Sequence, residues 1–454
     1  MTNTELNLSQ SLKESGKKLV QALNHLNKRY PGLIGELEGS RQPVHSVYGG
    51  AQLWKRSVPE KMGQLALRQL RIYAPDGDSL AQALGVQHSN SALNQKIYDR
   101  IVTKLQTEPI EDFRIDFEDG YGNRPDAEED QQAKIAAEET AAGMSGGTLP
   151  PFIGIRIKPM TLELWQRSLR TLGLFVSTLL SKTANKLPDG FTVTLPKVTC
   201  SEQVRLLVSA LRQLEQSHGL MEGSLGMELM LETTQSVIGM NGEVKIPELV
   251  DAAEGRCRGV HFGTYDYTAC CDIVAEHQQM TNPVCDFAKH MMQVSLGGTG
   301  IWLSDGATNI MPVPPHKGEY LSDEQKEENL RVVHKAWKTA YDNCIHSLSS
   351  GYYQGWDLHP AQLIVRYAAV FRFFLEGYDS SCERLKNFVE KAAQATLVGD
   401  VFDDAATGQG LLNYFLRGLN CRALSEDEAL ATGLTADEIH GKSFLKILEK
   451  RKKM

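Results

Sequence analysis

The chain has 454 residues, a formal net charge of −8, 41% hydrophobic residues and 23% charged ones. That length suits one large domain with extensions or two to three average ones, and the composition is that of a globular protein with a sizeable core. The acidic balance gives no electrostatic reason to bind nucleic acid or an anionic membrane surface, and no apolar run nears the roughly 20 residues needed to span a bilayer.

Residues 1–40 predict an amphipathic helical segment, with Leu12, Leu19, Leu23 and Leu26 near helical spacing ahead of a Pro-Gly pair. Its polar start, MTNTELNLSQ, is not a secretory signal. Short apolar or alternating runs then recur between longer helical patterns. They are VHSVYGG (44–50), FRIDFED (113–119), FIGIRIK (152–158), FTVTLPKV (191–198), LGMELMLE (225–232), RGVHFGTYD (258–266), GIWLSDG (300–306) and YQGWDLHP (353–360). Eight strands alternating with helices predict an α/β fold, a (β/α)₈ TIM barrel over residues 41–372. A doubly wound open sheet is the competitor, but neither GxGxxG nor GxxxxGK[ST] is present, and SLGGTG (295–300) reads as a plain turn. Residues 373–454 look helical and predict a C-terminal extension without further strands. The basic end KILEKRKKM (446–454) reads as a solvated helix terminus. Eight cysteines without Cys-x-x-Cys spacing predict free, mostly packed thiols and a reducing, cytoplasmic setting.

Active residues of such a barrel sit where the strands end. There the second run ends in Asp116, Glu118 and Asp119, the fifth in Glu232, the sixth in Asp266 and the seventh in Asp305. Against them stand only Arg156, Lys158 and Lys197. Carboxylates gathered in a site of low dielectric repel one another, and a divalent cation is the simplest remedy. Oxygen ligands without His or Cys at suitable spacing favour Mg²⁺ or Mn²⁺ over zinc. Taken singly, a glutamate closing a strand is more often a salt-bridge partner than a ligand. Recurrence at successive strand ends is what points to a metal-and-oxyacid site.

RIDFEDGYG, IRIKP, TLPKV, LETTQSV, HFGTYDY and WDLHPAQ occur in the order of the corresponding segments of one superfamily. The chain resembles the citrate lyase β-subunit and malate synthase superfamily over about residues 43 to 420, as an outlying branch. The resemblance implies that Glu232 and Asp266 hold Mg²⁺ and that Arg156 steadies the developing enolate or the 2-oxo acid oxygen. It implies that Glu118 and Asp119 order metal-bound water and the arginine, with Asp116 and Lys197 among the substrate contacts. His359 and Pro360 match a packing pair. FDDAATGQGLL resembles the segment whose aspartate acts as base toward an acyl-CoA methyl group, sometimes across a subunit boundary; Asp404 is the candidate and Asp403 the alternate. The family's Arg-x-Asn becomes Arg156-Ile157-Lys158, so Lys158 would bring a charge toward a second substrate carboxylate.

The expected activity is therefore an Mg²⁺-dependent carbon–carbon lyase or synthase, a homo-oligomer acting on an oxo or hydroxy acid and an acyl-CoA. Two other readings stay open. One is a CoA-independent pyruvate aldolase of the HpcH/HpaI type, in which a histidine would stand where this chain has Asp119. The other is a metabolite-binding barrel without turnover.

Overall fold

The computed structural model describes residues 16–21, 24, 41–87, 90–390, 396–398, 401–403, 405–440, 447 and 451. Of the N-terminal segment, residues 16–21 and 24 are helical and exposed; Leu12, Leu23 and Leu26 lie outside the described residues.

All eight predicted runs form strands, β1 (His45–Gly50), β2 (Asp112–Asp116), β3 (Phe152–Arg156), β4 (Thr192–Leu195), β5 (Gly226–Leu231), β6 (Cys257–Phe262), β7 (Trp302–Ala307) and β8 (Gln354–Asp357). They are parallel, hydrogen-bonded in sequence order and closed into a barrel. β8 returns to β1 with Gly355 opposite His45 and Asp357 opposite Val47. Several strands stop short of the predicted runs. β2 ends at Asp116, β4 at Leu195, β5 at Leu231 and β6 at Phe262, so Glu118, Asp119, Lys197, Glu232 and Asp266 stand just beyond them. The acidic tails of those runs are turns, and turns at the strand ends form the mouth.

Strand alternation sends one set of side chains outward to the helices. Ile115, Ile155, Val193, Leu229 and Val260 are completely buried there, each contributing about 1.5–3 kcal/mol by leaving water. The helix Trp165–Lys182 answers with Leu172, Phe175, Val176 and Leu179, and Phe175 stacks on Phe191 at 6.0 Å.

The inward set is unusual. Barrel interiors are commonly filled by layers of branched apolar side chains, but here the layer at mid-height is charged. Arg114 of β2 crosses the lumen to Glu228 of β5, with Nε and Nη2 donating at 3.0 and 2.7 Å, and it also pairs with Asp112. His261 Nε2 lies 3.2 Å from Glu228, and Thr194 donates to the same carboxylate at 3.1 Å. Below, a polar column continues. Ser46 Oγ donates to Asp112 at 2.5 Å, Gln354 Nε2 to Ser46 at 3.0 Å, and Gln42 Nε2 to Gln354 at 3.1 Å.

The last barrel helix runs Pro360–Glu376, so the boundary expected at 372/373 falls inside it. Beyond it come helices Tyr378–Glu390, Ala405–Asn420, Glu426–Leu430 and Ala436–His440. The extension was expected to be wholly helical, but Thr396–Val398 and Val401–Asp403 pair as antiparallel strands. β-branched and aromatic residues flanking a Gly-Asp pair carry a hairpin signal that the helical reading passed over. The extension packs under the barrel, at the end where strands begin. Asn420 accepts from the Gln42 backbone at 3.0 Å, Arg417 donates to Gln42 at 3.0 Å, and Arg422 meets Glu108 at 2.9 Å.

All eight cysteines are free. Among the described residues no helix is long and apolar enough to cross a membrane.

Candidate active site at the barrel mouth

Asp116 closes β2 with its side chain turned inward. Its two oxygens accept Arg156 Nε (2.7 Å) and Nη2 (2.5 Å) as a fork, plus the backbone N–H groups of Glu118 (2.9 Å) and Gly120 (2.7 Å). Asp116, expected as a substrate contact, here aims Arg156. Arg156, at the end of β3, also reaches Glu118 Oε2 at 3.2 Å and lies over the Tyr48 ring at 4.9 Å. Burial alone would discourage its charge, but Asp116 and Glu118 more than reverse this and hold the guanidinium well above its usual range. It is a fixed, permanently charged donor.

The neighbouring acidic pair divides in character. Burial pushes the Glu118 carboxyl up, more than Arg156 and Lys197 draw it down. Asp119 is largely exposed; its partial burial is outweighed by the contact with Glu118 and the attraction of Arg156 and Lys197, which lower it.

Lys197 has φ of +50°, a left-handed conformation that costs a non-glycine residue about 1–2 kcal/mol. The turn points its backbone N–H at Glu232 Oε1, 2.7 Å away. Its ammonium pairs with Glu118 and lies 3.3 Å from Asp119 and 3.5 Å from Asp266. Burial alone would lower its pKa, but Glu118, Glu232 and Asp119 more than reverse this and raise it.

Glu232 follows β5 directly and is 1% exposed. Burial first, and the nearby Asp266 carboxylate second, push its carboxyl up to about 8. Glycine at 263 allows this placement, since a Cβ there would stand 2.4 Å from Glu232 Oε2 and 2.5 Å from its Cβ. Asp266 sits not in a strand but in the first turn of the helix Thr264–Cys270, and its side chain is 40% exposed. A buried carboxylate pressed by a second, with an outlet to the mouth, fits a hard divalent cation. Among the described residues no three His, Cys, Asp or Glu side chains gather as a ready cage. Mg²⁺ is usually held by one or two carboxylates with water and substrate oxygens completing its shell, and Glu232 with Asp266 would supply two such carboxylates.

Other expected residues are not brought to this cluster. Lys158 is buried, its Nζ donating to the Phe117 carbonyl at 2.7 Å and lying 3.2 Å from Glu129 on the helix Asp126–Gly146, between β2 and β3. The strand has ended two residues earlier, and the side chain folds back to tie down the β2 turn. Asp305 points outward, where Lys289 (3.0 Å) and Ser347 (2.6 Å) hold it. His359 caps the helix Pro360–Glu376, as a packing residue would. Asp404 lies outside the described residues, and of Asp403 the backbone alone is described. The helix after them, Ala405–Asn420, meets Gln42 under the barrel through Arg417 and Asn420 at its C-terminal end.

Sequence reading passed over Tyr48, Arg114, Glu228, His261 and Gly263. The alternation that marks Asp116 as inward also marks Arg114 and Asp112, and Glu228 precedes Glu232 by an even number of residues. That signal was available; for Tyr48 and Gly263 none was.

Eight parallel strands closed in sequence order, with helices outside them, define the class as an α/β barrel. The citrate lyase of Burkholderia xenovorans LB400 is similar at 17% identity, over 74% of this chain and 92% of that one, with a TM-score of 0.53. Protein CitE of Mycobacterium tuberculosis, solved with magnesium, acetoacetate and coenzyme A, matches at 13% identity, over 83% and 98%, with a TM-score of 0.47. Haloferax volcanii malate synthase matches at 15% identity, over 88% and 96%, with a TM-score of 0.45. No curated protein matches the sequence. The chain belongs to the family described as Domain of unknown function (DUF6986), which matches residues 19–447.

Proposed function

We propose that this chain is an Mg²⁺-dependent carbon–carbon lyase or synthase, with Mn²⁺ as a substitute metal. It acts on a 2-oxo or hydroxy acid and an acyl-CoA thioester through enolate chemistry. The observation that carries the reading is the buried Glu232 beside Asp266, at the same barrel mouth as Arg156 and Lys197. Glu232 and Asp266 would hold the ion, which when bound supplies Lewis-acid stabilisation of several kcal/mol in typical metal catalysis.

The remaining roles fall to this chain's own side chains. Arg156, aimed by Asp116, offers donors that need no reorganisation when negative charge grows on a substrate oxygen. Glu118 braces Arg156 and Lys197 together. Asp119, largely exposed and held in its ionised form, can accept a proton at the mouth. A base from the Asp403–Asp404 segment would act within its own subunit or across a subunit boundary.

A second reading is metal-dependent aldol cleavage of a hydroxy-oxo acid without CoA. Incubation with Mg²⁺, glyoxylate and acetyl-CoA, and separately with malyl-CoA or citramalyl-CoA, should show thioester turnover under the first reading. Turnover of hydroxy-oxo acids alone supports the second. Absence of both overturns the enzymatic assignment.

A further inference from the structure

Lys197 touches four of the five acidic groups at the mouth, all but Asp116. Its main-chain N–H holds Glu232, and its ammonium bridges Glu118, Asp119 and Asp266. We propose that this ammonium is the resident counter-ion of the carboxylate nest, and that a divalent cation enters by displacing it. The inference rests on the reading of Glu232 and Asp266 as the metal-holding pair.

Three observations carry it. First, five carboxylates (Asp116, Glu118, Asp119, Glu232 and Asp266) face only two cations, and the two are held very differently. Arg156 is locked by a buried fork, with its side chain 6% exposed, whereas the Lys197 side chain is 28% exposed and its ammonium pairs with the largely exposed Asp119 and the 40% exposed Asp266. Lys197 is therefore the movable charge. Second, its backbone and side chain act separately. The left-handed turn keeps the N–H on Glu232 whether or not the ammonium stays, so the side chain can leave without releasing the carboxylate. Third, the ammonium already pairs with Asp266, so a dication shared by Asp266 and Glu232 would sit within a few ångströms of it. At such separations like charges in a partly dry site repel strongly.

Metal affinity is thus set by a competition built into the chain. The test uses the full-length protein, stripped of metal and titrated with Mn²⁺ by calorimetry at fixed pH and ionic strength. Lys197→Gln should bind Mn²⁺ about tenfold or more tightly than the parent, because the competing charge is gone. Lys197→Arg keeps the charge and should gain nothing. Glu232→Gln should bind at least about tenfold more weakly, as expected when one of the two ligand carboxylates loses its negative charge.

The outcomes separate. If Glu232→Gln loses affinity while Lys197→Gln binds equally or more weakly than the parent, the counter-ion inference fails and the metal pair stands. If the parent takes up no Mn²⁺, or Glu232→Gln binds unchanged, the metal pair fails and the inference with it. A measurement on the unmodified chain guards against a misfolded variant. Acylation of Lys197 by an amine reagent, read by peptide mass spectrometry, should rise with Mn²⁺ and share the midpoint of binding. A fall or no change overturns the displacement.

Discussion

Replacing Glu232 by glutamine should stabilise the metal-free protein at alkaline pH while abolishing its response to divalent cations. Burial and Asp266 raise the Glu232 carboxyl from 4.5 to about 8. In the unfolded chain the proton leaves near the ordinary glutamate value. Between the two pKa values the folded state binds the additional proton, so stability falls as pH rises through that window. At 1.36 kcal/mol per unit the full swing is about 5 kcal/mol, of which about 3–4 kcal/mol is lost between about pH 5 and pH 8. Glutamine has no proton to lose and can still accept from the Lys197 N–H. Urea denaturation of chelator-treated protein, followed by tryptophan fluorescence at both pH values, should show this slope in the parent and a flatter one in Glu232→Gln. Adding Mg²⁺ at the higher pH should restore the parent alone. Equal slopes, or a variant weakened equally at both pH values, would refute the placement of a strained carboxyl pair at the mouth.

Gly263→Ala forces a methyl group to within 2.4 Å of Glu232 Oε2, and should cost about 1–3 kcal/mol with a measurable loss of Mn²⁺ affinity. Glu228→Gln leaves Arg114 poorly compensated in the lumen, and should lower unfolding free energy by about 3–5 kcal/mol in chemical denaturation. Burial opposes the Glu228 charge, but Arg114 and His261 prevail and hold it well below its usual value. Its stabilising effect is present above the ordinary glutamate pKa and fades as pH falls below it, so an acid titration of the parent should be steeper than that of Glu228→Gln. Arg156→Lys keeps the charge but loses the fork to Asp116, and should reduce any turnover by about 100-fold or more with Mn²⁺ binding retained.

The barrel was legible because its strands obey a simple rule. An apolar residue such as Ile115, Ile155 or Val193 faces the helices at every second position, and the intervening stretches are long enough for a helix. The mouth was partly legible for the same reason. Ordered acidic tails at the ends of strands two, five and six give Glu118, Asp119, Glu232 and Asp266, and the structure gathers all four about Lys197. Direction was the difficult part. Lys158 and Asp305 come near the ends of predicted runs like the others, yet one folds back onto the β2 turn and the other faces the helices. A string of residues records spacing but not the twist at which a strand stops. Nor does it record that Arg114 finds its counter-charge across the lumen, or that glycine at 263 is needed to let a carboxylate lie flat against the backbone.

The column that descends from Asp112 through Ser46 and Gln354 to Gln42 ends on Arg417, so the C-terminal helix seals the lower opening of a polar shaft. Strip that stopper away and the solvent reaches ion pairs whose strength depends on a dry surrounding. The tail therefore serves as electrical insulation for the interior, and shortening it should loosen the centre of the barrel before it disturbs any surface.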